Sequence, residues 1–180
     1  MPDFIPGSFE HLQSCADDFS KMAHDLKQAI RTSRLALLDI RNDDSELKMK
    51  FALDKITNVA ASVFDTPRSV IMFIDDVSAF VKAETGEVFP AMPRDHSFCN
   101  MVVKANDIVA IGDSFVDPRS INNPNAGEVR FYVGAPILAD DGFVLGALCV
   151  IDDHPRQDYN DKKIDTLRDL AALTGAILRK

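Results

Sequence analysis

The sequence predicts an α+β fold in which helices pack against an antiparallel sheet. Residues 131–156, FYVGAPILADDGFVLGALCVIDDHPR, contain two nearly continuous apolar runs joined by Ala-Asp-Asp-Gly. This pattern predicts a hairpin, because Gly142 can adopt the positive φ that a tight turn requires. The two strands hardly alternate between apolar and polar residues, so both faces of the sheet must be covered. The predicted order is helices, two strands, a short helix, a strand, a long loop, the hairpin and a final helix.

The N-terminal part of the chain predicts helices. Apolar residues from Phe9 to Ile30 recur in steps of three and four, which is typical of a long amphipathic helix with a seam. A second helical pattern near residues 35–40 ends in the polar break RNDDSE, and a third runs from Leu53 to Val63. The break divides the chain into an N-terminal helical extension, residues 1–44, which we expect to serve in dimerisation and signalling, and a domain, residues 45–180.

The next part of the chain predicts strands and one short helix. The β-branched run SVIMFIDD, residues 69–76, is typical of a buried central strand. The more polar AFVKAETG, residues 79–86, is expected nearer to an edge of the sheet. HSFCNMVV, residues 96–103, favours a short helix, and DIVAIGD, residues 107–113, favours another strand.

Residues 114–129, SFVDPRSINNPNAGEV, predict a long loop with hardly any apolar periodicity. A loop of this length inside a compact domain usually acts as a lid or a binding loop. The closing stretch NDKKIDTLRDLAALTGAILRK predicts a helix that Asn160 or Asp161 can cap. Because the long helices can cover only one face of the sheet, we expect the loop and the short helix to roof a pocket on the other.

Composition excludes several classes of protein. The 28 acidic residues outnumber the 20 basic ones and give a net charge of -8, which repels the phosphate backbone of nucleic acids. The start of the chain lacks the features of a signal peptide, and no apolar run reaches the roughly 18 residues of a membrane span. The three cysteines, Cys15, Cys99 and Cys149, suit reduced thiols better than a disulfide framework. We therefore expect a soluble, cytoplasmic protein that binds neither nucleic acid nor membrane.

The side chains that could carry chemistry form weak patterns. No Walker or GxGxxG motif for phosphate binding occurs in the sequence. His96 and Cys99 have an HxxC spacing, and residues 152–154 form an Asp-Asp-His cluster, but neither group brings a second pair of ligands, so we expect no metal site. Cys99 could form a nucleophilic pair with His96 or His154. The other interpretation is that Cys99 and Cys149 are small core residues.

Two polar residues of the predicted lid, Asp117 and Arg119, have two possible roles. They could orient a polar or anionic ligand, since arginine presents a planar fork to carboxylate or phosphate. They could equally pair with each other. On the first predicted strand of the hairpin, Phe131 and Tyr132 point to opposite faces, so we expect one of them to face the helices and the other the pocket.

Three segments, in this order, resemble the GAF family of sensory domains: HSFCNMVV, DPRSINNPNAGEVRFYVGAPI and DGFVLGALCVIDDHPR. The resemblance covers roughly residues 45–178 and is closest to GAF domains that precede bacterial signalling outputs. It implies a PAS-related central antiparallel sheet of five or six strands, with helices on one face and a ligand pocket and lid on the other. The lid region lacks the cysteine through which bilin-binding members hold their chromophore, and the resemblance names no ligand or cofactor.

The resemblance implies a small-molecule-sensing regulatory domain, not an enzyme, that signals through its terminal helices. Its expected partners are a small-molecule ligand, a second copy in a homodimer, and a signalling output domain or protein. Two alternatives stay open: a ligand-free dimerisation or protein-interaction module, and a thiol-dependent enzyme similar to the free methionine sulfoxide reductases. The expected ligand-binding residues are Phe73, His96, Phe98, Cys99, Asp117, Arg119, Phe131, Tyr132 and Cys149.

Overall fold

The computed structural model describes residues 20–21, 44–87 and 90–178. The predicted amphipathic helix of residues 9–30 and the helical pattern near residues 35–40 therefore lie outside the described residues, apart from Ser20 and Lys21, which are helical. The division of the chain into an extension and a domain stays a prediction.

A six-stranded antiparallel sheet forms the centre of the fold, with strand order β3-β2-β1-β6-β5-β4. Its strands are β1 (Arg68–Ile74), β2 (Ser78–Thr85), β3 (Met92–Pro93), β4 (Val109–Ile111), β5 (Phe131–Leu138) and β6 (Val144–Asp152). The α+β class and the antiparallel sheet are confirmed. β2 lies next to the two-residue edge strand β3, close to the edge as its more polar sequence predicted.

The helices are α1 (Asp44–Phe64), α2 (Cys99–Ala105) and α3 (Asp161–Leu178). The two long helices, α1 and α3, pack together on one face of the sheet. Their apolar residues meet those of the central strands in one core, which includes Leu53, Phe64, Leu148 and Leu167. Asn160 caps α3, because its Oδ1 accepts the Lys163 backbone N–H at 3.0 Å. Within the described part of the chain, no helix combines the length and the apolar character needed to cross a membrane.

β5 and β6 form the predicted hairpin. Gly142 has φ +83° in the connecting turn, and its N–H donates to the Ala139 carbonyl oxygen at 3.0 Å. Every residue of β6 is buried, since this strand pairs with β1 on one side and β5 on the other and is covered above and below. The lack of alternation in its sequence therefore reflects coverage of both faces.

The second face of the sheet is covered by α2 and by the loop of residues 114–129. The loop is a folded cap, because Ser114 Oγ donates to the Ala126 carbonyl oxygen at 2.7 Å and Ser120 Oγ donates to the Ser114 carbonyl oxygen at 3.1 Å. Val129 at its end packs into a second core together with Phe98, Tyr132 and Cys149. The described residues therefore form two apolar cores, one on each face of the sheet.

Candidate functional site

A small cavity lies between the second face of the sheet, the start of α2 and the loop 114–129. Its volume is about 20 Å³, which is room for about one water molecule. The cavity is lined by Val70, Met72, Met92, His96, Ser97, Phe98, Cys99, Asn125, Val129, Tyr132 and Ile151.

Local sequence positions the wall of this cavity at the start of α2. A 3₁₀ turn, Arg94–His96, leads into the helix, and Ser97 Oγ accepts the Cys99 backbone N–H at 3.2 Å. The helix ends at Asn106, which adopts the left-handed conformation that asparagine tolerates, with φ 51°. The short helix thus presents Phe98 and Cys99 to the sheet.

Five of the nine predicted site residues come together on this face. His96, Phe98, Cys99 and Tyr132 line the cavity. Cys149, on β6, belongs to the same apolar core, and its Sγ lies 3.6 Å from Cys99 Sγ.

Phe73 and Phe131 lie on the opposite face, in the core under the long helices, and so do not line the cavity. Successive residues of a strand point to opposite faces, which is why Phe131 faces the helices while its neighbour Tyr132 faces the cavity. The same alternation places Phe73 away from the cavity and its neighbour Met72 in the wall.

Asp117 and Arg119 lie outside the cavity and pair with each other. Arg119 Nε donates to Asp117 Oδ1 at 2.9 Å, and Arg119 Nη2 donates to Asp117 Oδ2 at 2.6 Å. The same Nη2 also donates to the Ala110 carbonyl oxygen at 2.7 Å, so the pair holds the loop to β4. The hydrogen bond between the two side chains raises the pKa of Arg119 and lowers the pKa of Asp117.

An open polar groove adjoins the cavity, with a volume of about 270 Å³. Ser97 lines both spaces, so this residue forms part of the partition between them. Lys104 and Arg119 bring positive charge to the groove, Asp95 brings negative charge 3.6 Å from Lys104, and Asn100 and Asn122 bring amide groups. The groove is thus suited to polar groups and the cavity to apolar ones.

Two thiols and a phenol are packed together at the base of the cavity. Burial raises the pKa of Tyr132 well above its ordinary value, and the neighbouring thiols Cys99 and Cys149 reinforce this rise. The Tyr132 hydroxyl makes no hydrogen bond of good geometry within the described part of the chain, although it is fully buried. Its ring lies across Gly134, where an added Cβ would collide with it.

Replacing Tyr132 by Phe is expected to stabilise the protein by about 1 kcal/mol in the absence of a ligand. The change removes a buried hydroxyl that has no partner, and leaving such a group unpaired costs about 1 to 3 kcal/mol. Chemical denaturation of both proteins measures the difference. The control is Tyr159→Phe at the half-buried Tyr159, where we expect a change within about 0.5 kcal/mol. A clear loss of stability in Tyr132→Phe would show that the hydroxyl has a partner.

Sequence patterns missed several residues that shape this site. Asn125 Nδ2 donates to the His96 carbonyl oxygen at 3.1 Å and ties the loop to the cavity wall. Arg94 is buried, and its Nε donates to Asn100 Oδ1 at 2.8 Å while its Nη1 donates to the Asp75 carbonyl oxygen at 3.1 Å. Nothing distinguishes Asn125 from the loop's other asparagines in sequence, and Arg94 looks like an ordinary surface arginine.

The Asp-Asp-His cluster at residues 152–154 does bring its ligand atoms within 4.8 Å of one another. These groups have protein partners: Asp152 Oδ2 accepts from Arg156 Nη1 at 3.0 Å, and His154 Nδ1 lies 2.7 Å from Asp153 Oδ1. Asp152 therefore serves as an attachment point of Arg156, and Asp153 and His154 pair with each other.

Comparison with known proteins identifies relatives. A profile of the GAF domain matches residues 50–178. A cyclic di-GMP phosphodiesterase from Pseudomonas aeruginosa is 34% identical over 126 residues, which cover 68% of this chain and 22% of that protein. The chain therefore spans about a fifth of the length of this curated relative.

Two solved structures show the same fold at low sequence identity. The GAF domain of an Acinetobacter phosphoenolpyruvate-protein phosphotransferase has a TM-score of 0.61 at 16% identity, covering 86% of this chain and 93% of that chain. The type II free methionine-R-sulfoxide reductase of Thermoplasma acidophilum has a TM-score of 0.63 at 14% identity, covering 76% of this chain and 96% of that chain. Together with the profile match over most of the chain, these neighbours place the protein in the GAF domain family.

Proposed function

We propose that this GAF domain is a regulatory sensor that binds a small molecule between its sheet and the loop 114–129, which acts as a lid. The observation that carries this proposal is a cavity whose wall includes the buried hydroxyl of Tyr132, which makes no hydrogen bond of good geometry and has the Cys99 and Cys149 thiols as its polar neighbours. A buried hydroxyl without a partner is unfavourable, so a bound polar group that meets it gains a hydrogen bond at an already desolvated position.

Ligand entry requires the lid or the short helix to move. The cavity of about 20 Å³ is too small for a metabolite, whereas the adjoining groove holds about 270 Å³. Movement of the partition at Ser97 would join the two into one site with an apolar floor and a polar mouth. The side chains of Asn100, Asn122 and Lys104 at that mouth can hydrogen-bond a polar ligand.

The sheet carries an apolar core on each face, and this arrangement provides a route for the signal. On β6, Cys149 packs in the core beside the cavity while its neighbour Leu148 packs under the long helices. A displacement of the strand on ligand binding therefore reaches α1 and α3 directly. We propose that these helices pass the change to a signalling output in the cytoplasm, for which the phosphodiesterase relative offers one example of an output class.

The experiment is a search for retained metabolites. Untargeted mass spectrometry is applied to the purified wild type, to Val129→Phe and to Val116→Phe. Val129 lines the cavity, so a phenyl ring there fills it, whereas Val116 lies on the same loop with its side chain exposed. We expect a compound on the wild type and on Val116→Phe that is absent from Val129→Phe. Equal retention by all three proteins, or by none, would contradict the sensor proposal.

A second candidate is the ligand-free interaction module, and the small cavity itself favours it. The outer side of α1 also exposes large apolar side chains, with Leu47 73% and Phe51 63% exposed. Hydrogen exchange separates the two candidates: a lid should exchange faster than residues 143–151 and slow when a compound binds. If residues 114–129 exchange as slowly as that strand without a ligand, the loop is a permanent cap.

A regulatory domain of either kind is also expected not to reduce free methionine sulfoxide.

We also propose that the protein is a homodimer held by the predicted helix of residues 9–30. Replacing Phe19 and Leu26 by Asp places charges in its apolar seam, where burial of an unpaired charge is strongly unfavourable. Light scattering is expected to give a monomer for this double variant and a dimer for the control Ser20→Asp, since Ser20 is exposed. A double variant that remains dimeric would exclude this helix as the interface.

A further inference from the structure

Two cysteines that stand 50 positions apart in the sequence meet inside the domain. Cys99 begins α2 and Cys149 lies in the central strand β6, with their sulfur atoms 3.6 Å apart. Both thiols are free and buried. A disulfide bond requires an S–S separation of about 2.0 Å, so the two sulfurs need to approach by about 1.6 Å.

The two thiols differ in their access to small molecules. Cys99 lines the cavity, whereas Cys149 lies behind it and does not contribute to the lining. The hydrogen bond from Cys149 lowers the pKa of Cys99 against the opposing effect of burial, while burial raises the pKa of Cys149 well above its ordinary value. Cys99 is therefore the thiol that ionises first, and it faces the space that a small reagent can enter.

We propose that Cys99 and Cys149 form a peroxide-reactive dithiol that closes to an intramolecular disulfide. The co-reactant is a small hydroperoxide, which the cavity can admit because it is little larger than water. The Cys99 thiolate attacks one peroxide oxygen: an S–O bond forms, the O–O bond breaks, and an alcohol or water leaves after taking up a proton. Cys149 then attacks the Cys99 sulfur: the S–S bond forms, the S–O bond breaks, and water leaves. The two sulfurs together lose two electrons and the hydroperoxide gains them.

The disulfide would join the cavity wall to the centre of the sheet. In the reduced domain α2 is held there by packing and by Arg94, and Asn125 holds the 3₁₀ turn that precedes the helix. A covalent bond between Cys99, the first residue of α2, and Cys149 on β6 would fix the cavity wall that Ser97 shares with the groove. The proposal concerns the thiols alone and stands whether or not the cavity takes a regulatory ligand.

The test uses the full chain carrying Cys15→Ser, which leaves Cys99 and Cys149 as its only thiols. The reduced protein is treated with an equimolar amount of hydrogen peroxide, unfolded and alkylated with iodoacetamide. We expect two alkylated thiols before treatment and none after it, an intact mass lower by two hydrogen atoms, and full recovery of both thiols with dithiothreitol. Peptide mapping should find the Cys99 and Cys149 peptides linked within one chain.

Two further variants test the order of the steps. With Cys149→Ser in the same background, peroxide should leave a sulfenic acid on Cys99 that dimedone traps, whereas with Cys99→Ser dimedone should label nothing. Two thiols still open to alkylation after peroxide, a link between two chains, or a dimedone adduct on Cys149 would each overturn the proposal. Because the mapping is done on the chain that retains both thiols, the result does not depend on the folding of either variant.

Discussion

Replacing Gly146 by Ala is expected to lower the free energy of unfolding by at least about 3 kcal/mol, because there is no room for a methyl group at this position. Gly146 lies in β6 between Phe73 of β1 and Ile137 of β5. A Cβ at this position would lie 2.8 Å from Phe73 Cα and would collide with the Met72 carbonyl oxygen. Both are backbone atoms, so no side-chain rotation can relieve the collision and the pairing of β1 with β6 must distort.

The measurement is urea denaturation followed by circular dichroism, with Gly127→Ala as the matched control. Gly127 lies on the loop, and a Cβ there would have no described atom within 4 Å. We expect the control to stay within about 0.5 kcal/mol of the wild type, as is usual for surface substitutions. A Gly146→Ala protein as stable as Gly127→Ala would mean that the central strands can separate freely at this point.

Replacing Arg156 by Ala is expected to lower the free energy of unfolding by about 2 to 4 kcal/mol. The Arg156 guanidinium joins the ends of three elements. It donates to Asp152 at the end of β6, to Asp158 just before α3, and to the Asp65 carbonyl oxygen just after α1. The side chains of Arg156 and Asp152 are 16% and 11% exposed, so water can only partly replace the lost partner. The truncated protein retains a largely buried carboxylate without its cation.

The control for Arg156 is Arg168→Ala, because Arg168 also pairs with an aspartate, Asp165, but on the exposed surface of α3. Exposed ion pairs contribute about 0 to 1 kcal/mol, so this variant should melt close to the wild type. Arg156→Lys is expected to lie between the two, since lysine keeps the charge but cannot form the planar fork with Asp158. Equal stability of the two alanine variants would show that Arg156 does not hold the three ends together.

Residue patterns predicted the elements well, because each depends on its local sequence. The Asp-Gly turn indicated the hairpin, Asn160 indicated the start of α3, and the unbroken apolar run of β6 indicated that both of its faces are covered. The alternation of side chains along a strand also correctly predicted that Phe131 and Tyr132 face opposite sides of the sheet. It could not say which of the two faces the cavity, since that depends on the side of the sheet to which the helices return.

Which residues meet at the site could not be predicted in full, because their contacts depend on how distant parts of the chain pack together. The meeting of Cys99 with Cys149 depends on where the short helix crosses the sheet. Arg119 appeared as a ligand-binding candidate because a charged loop residue looks available in sequence, whereas in the structure it is paired with Asp117. Phe73 was expected in the pocket, and its place under the long helices follows from the register of β1 against β6.

The pairing of β1 with β6 also has a consequence for the order in which the chain folds. Ser69 Oγ donates to the Cys149 carbonyl oxygen at 2.9 Å, across 80 positions of sequence. The hairpins β1–β2 and β5–β6 can each form from neighbouring residues, but they join only when this distant pairing closes, which is an entropically slow step. Val70 on β1 and Tyr132 on β5 line the same cavity, so the cavity exists only once this pairing has formed. A molecule that binds there recognises the joined halves and neither half alone, so it would stabilise the pairing of β1 with β6.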